Sequence, residues 1–254
     1  MYQGTNPNDR LAQKMKFPKL PRKDVPELTT DQMIEVDRAM IEDYGIELIQ
    51  MMENAGRALA MLARNLLLEG PSEGHSVAVL AGRGGNGGGA LVAARRLAAW
   101  GFDVQVYLTR PPETYTGVPG HQLAILRSME VPLQATTPEG TGFDVILDGV
   151  IGYSLKGAPT GSAADLIFWA NAQSAPTLSL DAPSGLDAST GVAYDPSIHA
   201  AVTLTLALPK VGLNHTQVGT LYLADISVPP DLYARFLGLD IEPIFAESDI
   251  LELN

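Results

Sequence analysis

Asp181 stands where the apolar run Thr177–Leu180 ends, and it opens the stretch Asp-Ala-Pro-Ser-Gly over residues 181–185. A carboxylate at the mouth of a buried strand is partly desolvated, which suits it to proton transfer. The competing reading is a structural Asx turn. Pro183 stiffens the turn and Ser184 adds a hydroxyl. A second carboxylate, Asp148, follows the run Val145–Leu147, with glycines at 149, 152 and 157 around it and Lys156 among them. Close glycines let a ligand approach the backbone, whereas a lone Asp at a strand end also serves as a turn former or a helix cap.

The densest glycine segment is Gly82-Arg-Gly-Gly-Asn-Gly-Gly-Gly-Ala90. Its backbone amides would reach an anion, helped by the dipole of a helix expected from near Leu91. Gly82, Gly84 and Gly87 fit the dinucleotide spacing G-x-G-x-x-G, but the next strand run ends in Arg110 and not in a ribose-binding acid. A standard NAD dehydrogenase is therefore disfavoured, and no Lys-Ser/Thr follows the glycines to make a nucleoside-triphosphate loop. Asp, Asn and Ser offer oxygen ligands suited to a hard cation. The four histidines lack metal-ligand spacing, and the absence of cysteine excludes thiolate chemistry.

Composition narrows the partners. The 254 residues carry 17 Lys+Arg against 29 Asp+Glu, a net charge of −12, and 46% are apolar, enough for a sizeable core. Such an acidic chain with no basic run argues against nucleic acid and anionic membrane surfaces. No apolar run is long enough to span a bilayer. The N-terminus has no apolar core of a signal peptide, so a cytoplasmic location is expected.

The elements that must position these residues alternate in type. Thr29 and Gln32 have capping-box spacing for a helix running towards Tyr44. Gly45 interrupts it, and Ile49, Met52, Leu59, Leu62 and Leu66 then mark one face of a second helix that Gly70-Pro71 would end. Strand-like runs follow at 77–82, 103–108, 144–152, 176–180, 202–208 and 220–226, with helices expected over 91–100, 118–130 and 162–173. This order predicts an α/β fold with a mostly parallel sheet, Rossmann-like and preceded by N-terminal helices. Residues 1–27 read as an extended arm, 28–239 as the domain and 240–254 as an acidic tail. The loops 82–90, 148–158 and 181–187 then share one crevice beyond the carboxyl ends of the strands.

Five ordered segments carry a family resemblance: 28–60, LTTDQMIEVDRAMIEDYGIELIQMMENAGRALA; 82–97, GRGGNGGGALVAARRL; 146–157, ILDGVIGYSLKG; 180–187, LDAPSGLD; and 206–213, LALPKVGL. Over roughly residues 28–236 the chain resembles the YjeF N-terminal domain family, the NAD(P)H-hydrate epimerases. The resemblance implies a three-layer αβα sandwich, usually dimeric, that interconverts the R and S forms of NADHX and NADPHX, nicotinamide cofactors hydrated at C6. It implies one potassium ion per subunit at Asn86, Asp148 and Ser184. The hydrated cofactor would contact Gly85, Asn86, Gly87, Gly88 and Gly89, then Gly152, Tyr153, Ser154, Leu155, Lys156, Gly157 and Ala158, and finally Asp181. Asp181 is the expected proton shuttle, with Lys156 assisting, and a separate ATP- or ADP-dependent dehydratase would act on the S form.

The chain departs from the family in the first and second glycine loops. The motif Asn-Asn-Gly-Gly-Asp-Gly has Gly85 for its first Asn and Gly89 for its Asp. Where Gly-Thr-Gly is common, the chain has Gly152-Tyr153-Ser154. A binding-only or scaffold member of the same fold is the alternative reading.

Overall fold

The computed structural model describes residues 17–68, 72–214 and 216–254. In chain order the elements are β1 (Lys19–Leu20), α1 (Thr30–Glu42), α2 (Leu48–Leu66), β2 (Ser76–Ala81), α3 (Gly85–Ala99), β3 (Asp103–Leu108), α4 (Gly117–Ser128), β4 (Leu133–Gln134), β5 (Val145–Gly149), α5 (Ser162–Asn171), β6 (Thr177–Leu180), β7 (Val202–Leu206), β8 (Thr220–Ala224), α6 (Pro230–Leu237) and β9 (Ile250–Leu253). The strands form one sheet in the order β1-β9-β8-β7-β6-β5-β2-β3-β4. Every pairing is parallel except that of β8 with β9.

The central strands are apolar on both faces because both faces are covered. Val77, Val79 and Ala81 of β2, with Val145 and Leu147 of β5, join the core shared with α1 to α4 and α6. Ala78, Leu80 and Ile146 point the other way, onto Leu166, Ile167 and Ala170 of α5. This alternation makes the three layers. At the start of α1, Thr29 Oγ1 accepts from the Gln32 N–H at 3.2 Å while the Thr29 N–H donates to Gln32 Oε1 at 2.9 Å, the expected capping box.

One expectation is corrected. Helix α3 starts at Gly85, not near Leu91, so most of the glycine segment is helical. The reason is packing. A Cβ at Gly87 would lie 1.7 Å from the Gly82 carbonyl oxygen, and one at Gly88 would lie 2.4 Å from Met52 Sδ. A Cβ at Gly56 of α2 would meet the Gly89 oxygen at 2.4 Å. Bare backbones let α2, α3 and the β2 turn approach closely, which outweighs the poor helix propensity of glycine.

Segments near both ends of the described residues extend the sheet. β9, within the acidic segment 240–254, lies between β8 and β1, and β1 lies within the segment read as an arm. Ile250, Leu251 and Leu253 are buried there. Residues 1–16 of the arm and the Gly70-Pro71 helix stop fall outside the described residues.

Candidate active site

The carboxyl ends of β2, β5, β6 and β7 bring the predicted residues together. Asp181 follows β6 with a left-handed backbone (φ 66°), and its N–H donates to the Leu204 oxygen at 2.7 Å. A non-glycine residue in this region is strained, and strain of this kind gathers at functional sites. Asp181 is buried and is not an isolated acid, because Lys210 donates to its Oδ1. Oδ2 faces the Tyr153 N–H at 3.4 Å.

Lys210 is fully buried, and its Nζ also reaches the Leu206 oxygen at 2.9 Å and Thr205 Oγ1 at 3.4 Å. Its segment is clamped from outside: Leu28 N–H donates to the Pro209 oxygen at 2.8 Å and Val211 N–H to the Leu28 oxygen at 3.1 Å. The loop after β5 closes over the pair. The Tyr153 ring centroid lies 5.9 Å from Lys210 Nζ, and the Tyr153 hydroxyl donates to Asp37 of α1. Burial raises the Asp37 carboxyl above its usual range, opposed by the tyrosine hydrogen bond. Burial likewise raises the Tyr153 phenol, reinforced by the Asp37 charge. Together these side chains line a cavity of about 80 Å³ with Met33, Met52 and Asn86.

Beside it lies a second, oxygen-rich cluster. Asp148 is fully buried in β5 and accepts from Ser179 Oγ at 2.8 Å, Ser184 N–H at 2.9 Å and Ser184 Oγ at 2.6 Å. Burial raises its carboxyl above the usual range, against the pull of the Ser184 bonds. Ser184 Oγ accepts from the Ile151 N–H at 2.8 Å and also stands 3.0 Å from the Ile151 oxygen. One hydroxyl proton thus faces two acceptors, Asp148 Oδ1 and the Ile151 carbonyl. Asn86 lies over this cluster, where a Cβ at Gly152 would meet its amide 2.5 to 2.6 Å away, and its Nδ2 donates to the Leu180 oxygen at 2.7 Å. Among the described residues no group of three or more His, Cys, Asp or Glu is placed to hold a metal. An ion here would draw on Asp148, Ser184, Asn86 and backbone carbonyls, a donor set suited to a hard cation.

The remaining predicted residues separate. Gly84 caps α3 without a side-chain bond, and Gly88 N–H already donates to the Gly84 oxygen at 3.0 Å. The first-turn amides of Gly85, Asn86 and Gly87 have no acceptor within the helix and are the ones a ligand can use. Gly87, Gly88 and Gly89 are buried by packing. In the loop after β5, Ser154, Lys156 and Ala158 are exposed, while Gly152, Tyr153, Leu155 and Gly157 are half-buried. The cation brought onto Asp181 is Lys210, not Lys156.

Lys210, Asp37 and Ser179 escaped the reading of the sequence. Lys210 follows the apolar run 202–208, where a lone lysine looks like a surface residue. Asp37 looks like one of the polar positions of an amphipathic helix. The available signal was the position of Lys210 within the segment 206–213.

Residues 48–212 match the family described as YjeF-related protein N-terminus. The chain is 44% identical over 211 residues to the NAD(P)H-hydrate epimerase of Dehalogenimonas lykanthroporepellens, covering 82% of this chain and 84% of that protein. It is 35% identical to the bifunctional NAD(P)H-hydrate repair enzyme Nnr of Salinibacter ruber, over 83% of this chain but only 42% of that protein. The crystal structure of yeast YNL200c has the same fold, with a TM-score of 0.78 at 27% identity over 90% of this chain and 100% of that one.

Proposed function

The chain belongs to the family of YjeF-related protein N-termini, and from that membership we propose that it is an isomerase, an NAD(P)H-hydrate epimerase that interconverts R- and S-NAD(P)HX in metabolite repair. The observation that carries the chemistry is Asp181, held with a left-handed backbone in the cavity lining, with Oδ1 bound to Lys210 and Oδ2 beside the Tyr153 N–H.

C6 of the substrate bears a hydroxyl and adjoins the ring nitrogen N1. Asp181 hands a proton to the hydroxyl, the N1 lone pair expels water, and a planar iminium remains. Water then adds to either face and returns a proton to Asp181. The reaction needs one proton shuttle and retained water but no redox partner. The first-turn amides of α3 and the exposed Lys156 are assigned to the substrate pyrophosphate. Gly88 and Gly89 act through their small size.

The surplus of acceptors around Ser184 fits a large monovalent cation better than magnesium, which demands near-octahedral geometry. The proposal therefore includes one potassium ion per subunit, held by Asn86, Asp148 and Ser184. When bound, the ion supplies a weak Lewis acid and a fixed positive charge. The homodimer, the cytoplasmic location and a separate dehydratase for the S form belong to the same proposal. A second activity in the same repair is supported by the bifunctional NAD(P)H-hydrate repair enzyme of Salinibacter ruber.

The losses at Gly85 and Gly89 favour a binding-only member as the second reading. One experiment separates the two: incubate the purified protein with S-NADHX and follow the R and S forms by chromatography. Interconversion above the uncatalysed rate supports the epimerase, and binding without interconversion supports the alternative.

A further inference from the structure

Lys210 is a buried cation that the mechanism above leaves unused. All three of its N–H directions are occupied, by Asp181 Oδ1, the Leu206 oxygen and Thr205 Oγ1, and the side chain has no exposed surface. It lines the cavity with all of its donors already committed within the protein. Whatever it contributes to the reaction passes through Asp181.

An unpaired buried carboxylate is costly to hold as an anion, and a buried ammonium equally so. The two side chains satisfy each other at the floor of the cavity, and the clamp by Leu28 keeps Lys210 from swinging out. The two oxygens thereby differ, with Oδ1 committed to the ammonium and Oδ2 held only by the long 3.4 Å contact from the Tyr153 N–H. Two needs follow from the proposed reaction. The acid must present one oxygen to C6, and it must find a proton for the hydroxyl inside a site shielded from water.

We propose that Lys210 is the positioning residue and proton reserve of the site, acting through Asp181 as a single donor. This rests on the epimerase reading. Lys210 Nζ first gives a proton to the Asp181 carboxylate, and the neutral carboxyl then passes that proton to the C6 hydroxyl and is a carboxylate again. The C6–O bond breaks, water leaves, and the N1 lone pair closes the iminium. The ion pair has become a neutral lysine beside a carboxylate, and its positive charge has moved to the substrate. Re-addition of water to the other face returns the proton through Oδ2 to Lys210. No oxidant, reductant or further acid is consumed.

The test is a double-mutant cycle on S-NADHX epimerisation, with thermal melts to establish that each variant folds. K210M keeps side-chain length without charge, and K210R keeps charge but does not release its proton. We expect K210M, K210R and D181N each to lower kcat by about 100-fold or more with KM within about threefold. The double variant D181N/K210M should be no worse than D181N, because groups that act as one unit are not additive. Should K210M fail to fold, D181N/K210M carries no unpaired buried charge and must still match D181N. Wild-type kcat in K210M, multiplicative losses in the double variant, or recovery in K210R would each overturn the inference. An inactive wild-type protein removes the epimerase reading and this inference with it, whereas an active wild type with unaffected K210M removes the inference alone.

Discussion

Tyr153 and Asp37 are joined across the crevice: the phenol on the loop after β5 donates its hydrogen to the carboxylate on α1. The link ties the N-terminal helix layer to the strand-end loops and covers the Asp181–Lys210 pair. Burial holds the Asp37 carboxyl above its usual value, and the phenol hydrogen bond works against that rise. A carboxyl raised in the folded state stays protonated over a pH range where the unfolded chain has already lost the proton. Stability therefore falls as pH rises from the ordinary value through the raised one.

Replacing Tyr153 by Phe removes the bond that favours the charged carboxylate, so Asp37 should rise further and the range of falling stability should widen. We expect Y153F to be less stable than wild type by about 1 kcal/mol at neutral pH. The deficit should shrink as pH drops below the ordinary carboxyl value of 3.8. Urea titrations at neutral and acidic pH measure this difference. An equal deficit at both would mean that the phenol matters through packing alone.

Asn at 181 keeps the shape and the strained turn but cannot shuttle a proton. We expect D181N to lose about 100-fold or more in epimerisation while its dissociation constant for NADPHX changes by less than about fivefold, since Asn keeps the side-chain shape. Isothermal titration beside chromatographic rates separates the two quantities. Wild-type turnover would return the shuttle role to Asp148 or Lys156.

The glycine segment yields a contrast between near neighbours. A Cβ at Gly85 finds only Met52 Cε at 3.6 Å, while one at Gly87 would sit 1.7 Å from a backbone oxygen. Alanine also favours helix over glycine by about 0.5–1 kcal/mol. G85A should therefore be neutral or slightly stabilising. G87A should lose more than about 3 kcal/mol, in the range of severe core disruption. Denaturant midpoints of the two variants decide it, and similar midpoints would contradict the assignment of Gly87 to helix packing.

That contrast also shows what the sequence could and could not say. Alternating apolar runs and helical faces placed β2, β3, β5 and β6 and α1 and α2 because burial on both sheet faces leaves a periodic trace. The glycines left no such trace. Gly87 and Gly88 are glycine because of Gly82 and Met52, which are distant or differently phased in sequence, so a helix looked like a loop. β9 was hidden for a related reason: four residues in an acidic stretch become a strand only because β8 and β1 flank them. Asp148, Ser184 and Asp181 were legible as polar residues ending apolar runs. Lys210 was not, since the partner that makes its burial tolerable lies on another strand.

The last prediction concerns the ion. Ser184 Oγ has one proton for Asp148 Oδ1 and the Ile151 oxygen, at 2.6 and 3.0 Å, so a cation would relieve an excess of acceptors. A ligand that binds only the folded state stabilises it by mass action, about 1.4 kcal/mol at ten times its dissociation constant. For a domain of this size that is a rise in Tm of about 3–5 °C. We expect this rise in potassium chloride relative to tetramethylammonium chloride at equal ionic strength, and its loss in S184A. The pH dependence has a definite sign. The ion favours the ionised form of Asp148, which burial holds above its usual range. The potassium increment should thus be full above that raised value and fade as pH falls through it. Crystals soaked in thallium should show anomalous density among Asn86, Asp148 and Ser184. Identical melting in both salts, with no such density, would remove potassium from the site and leave the cluster as a hydrogen-bonded turn that holds Asp148 in place.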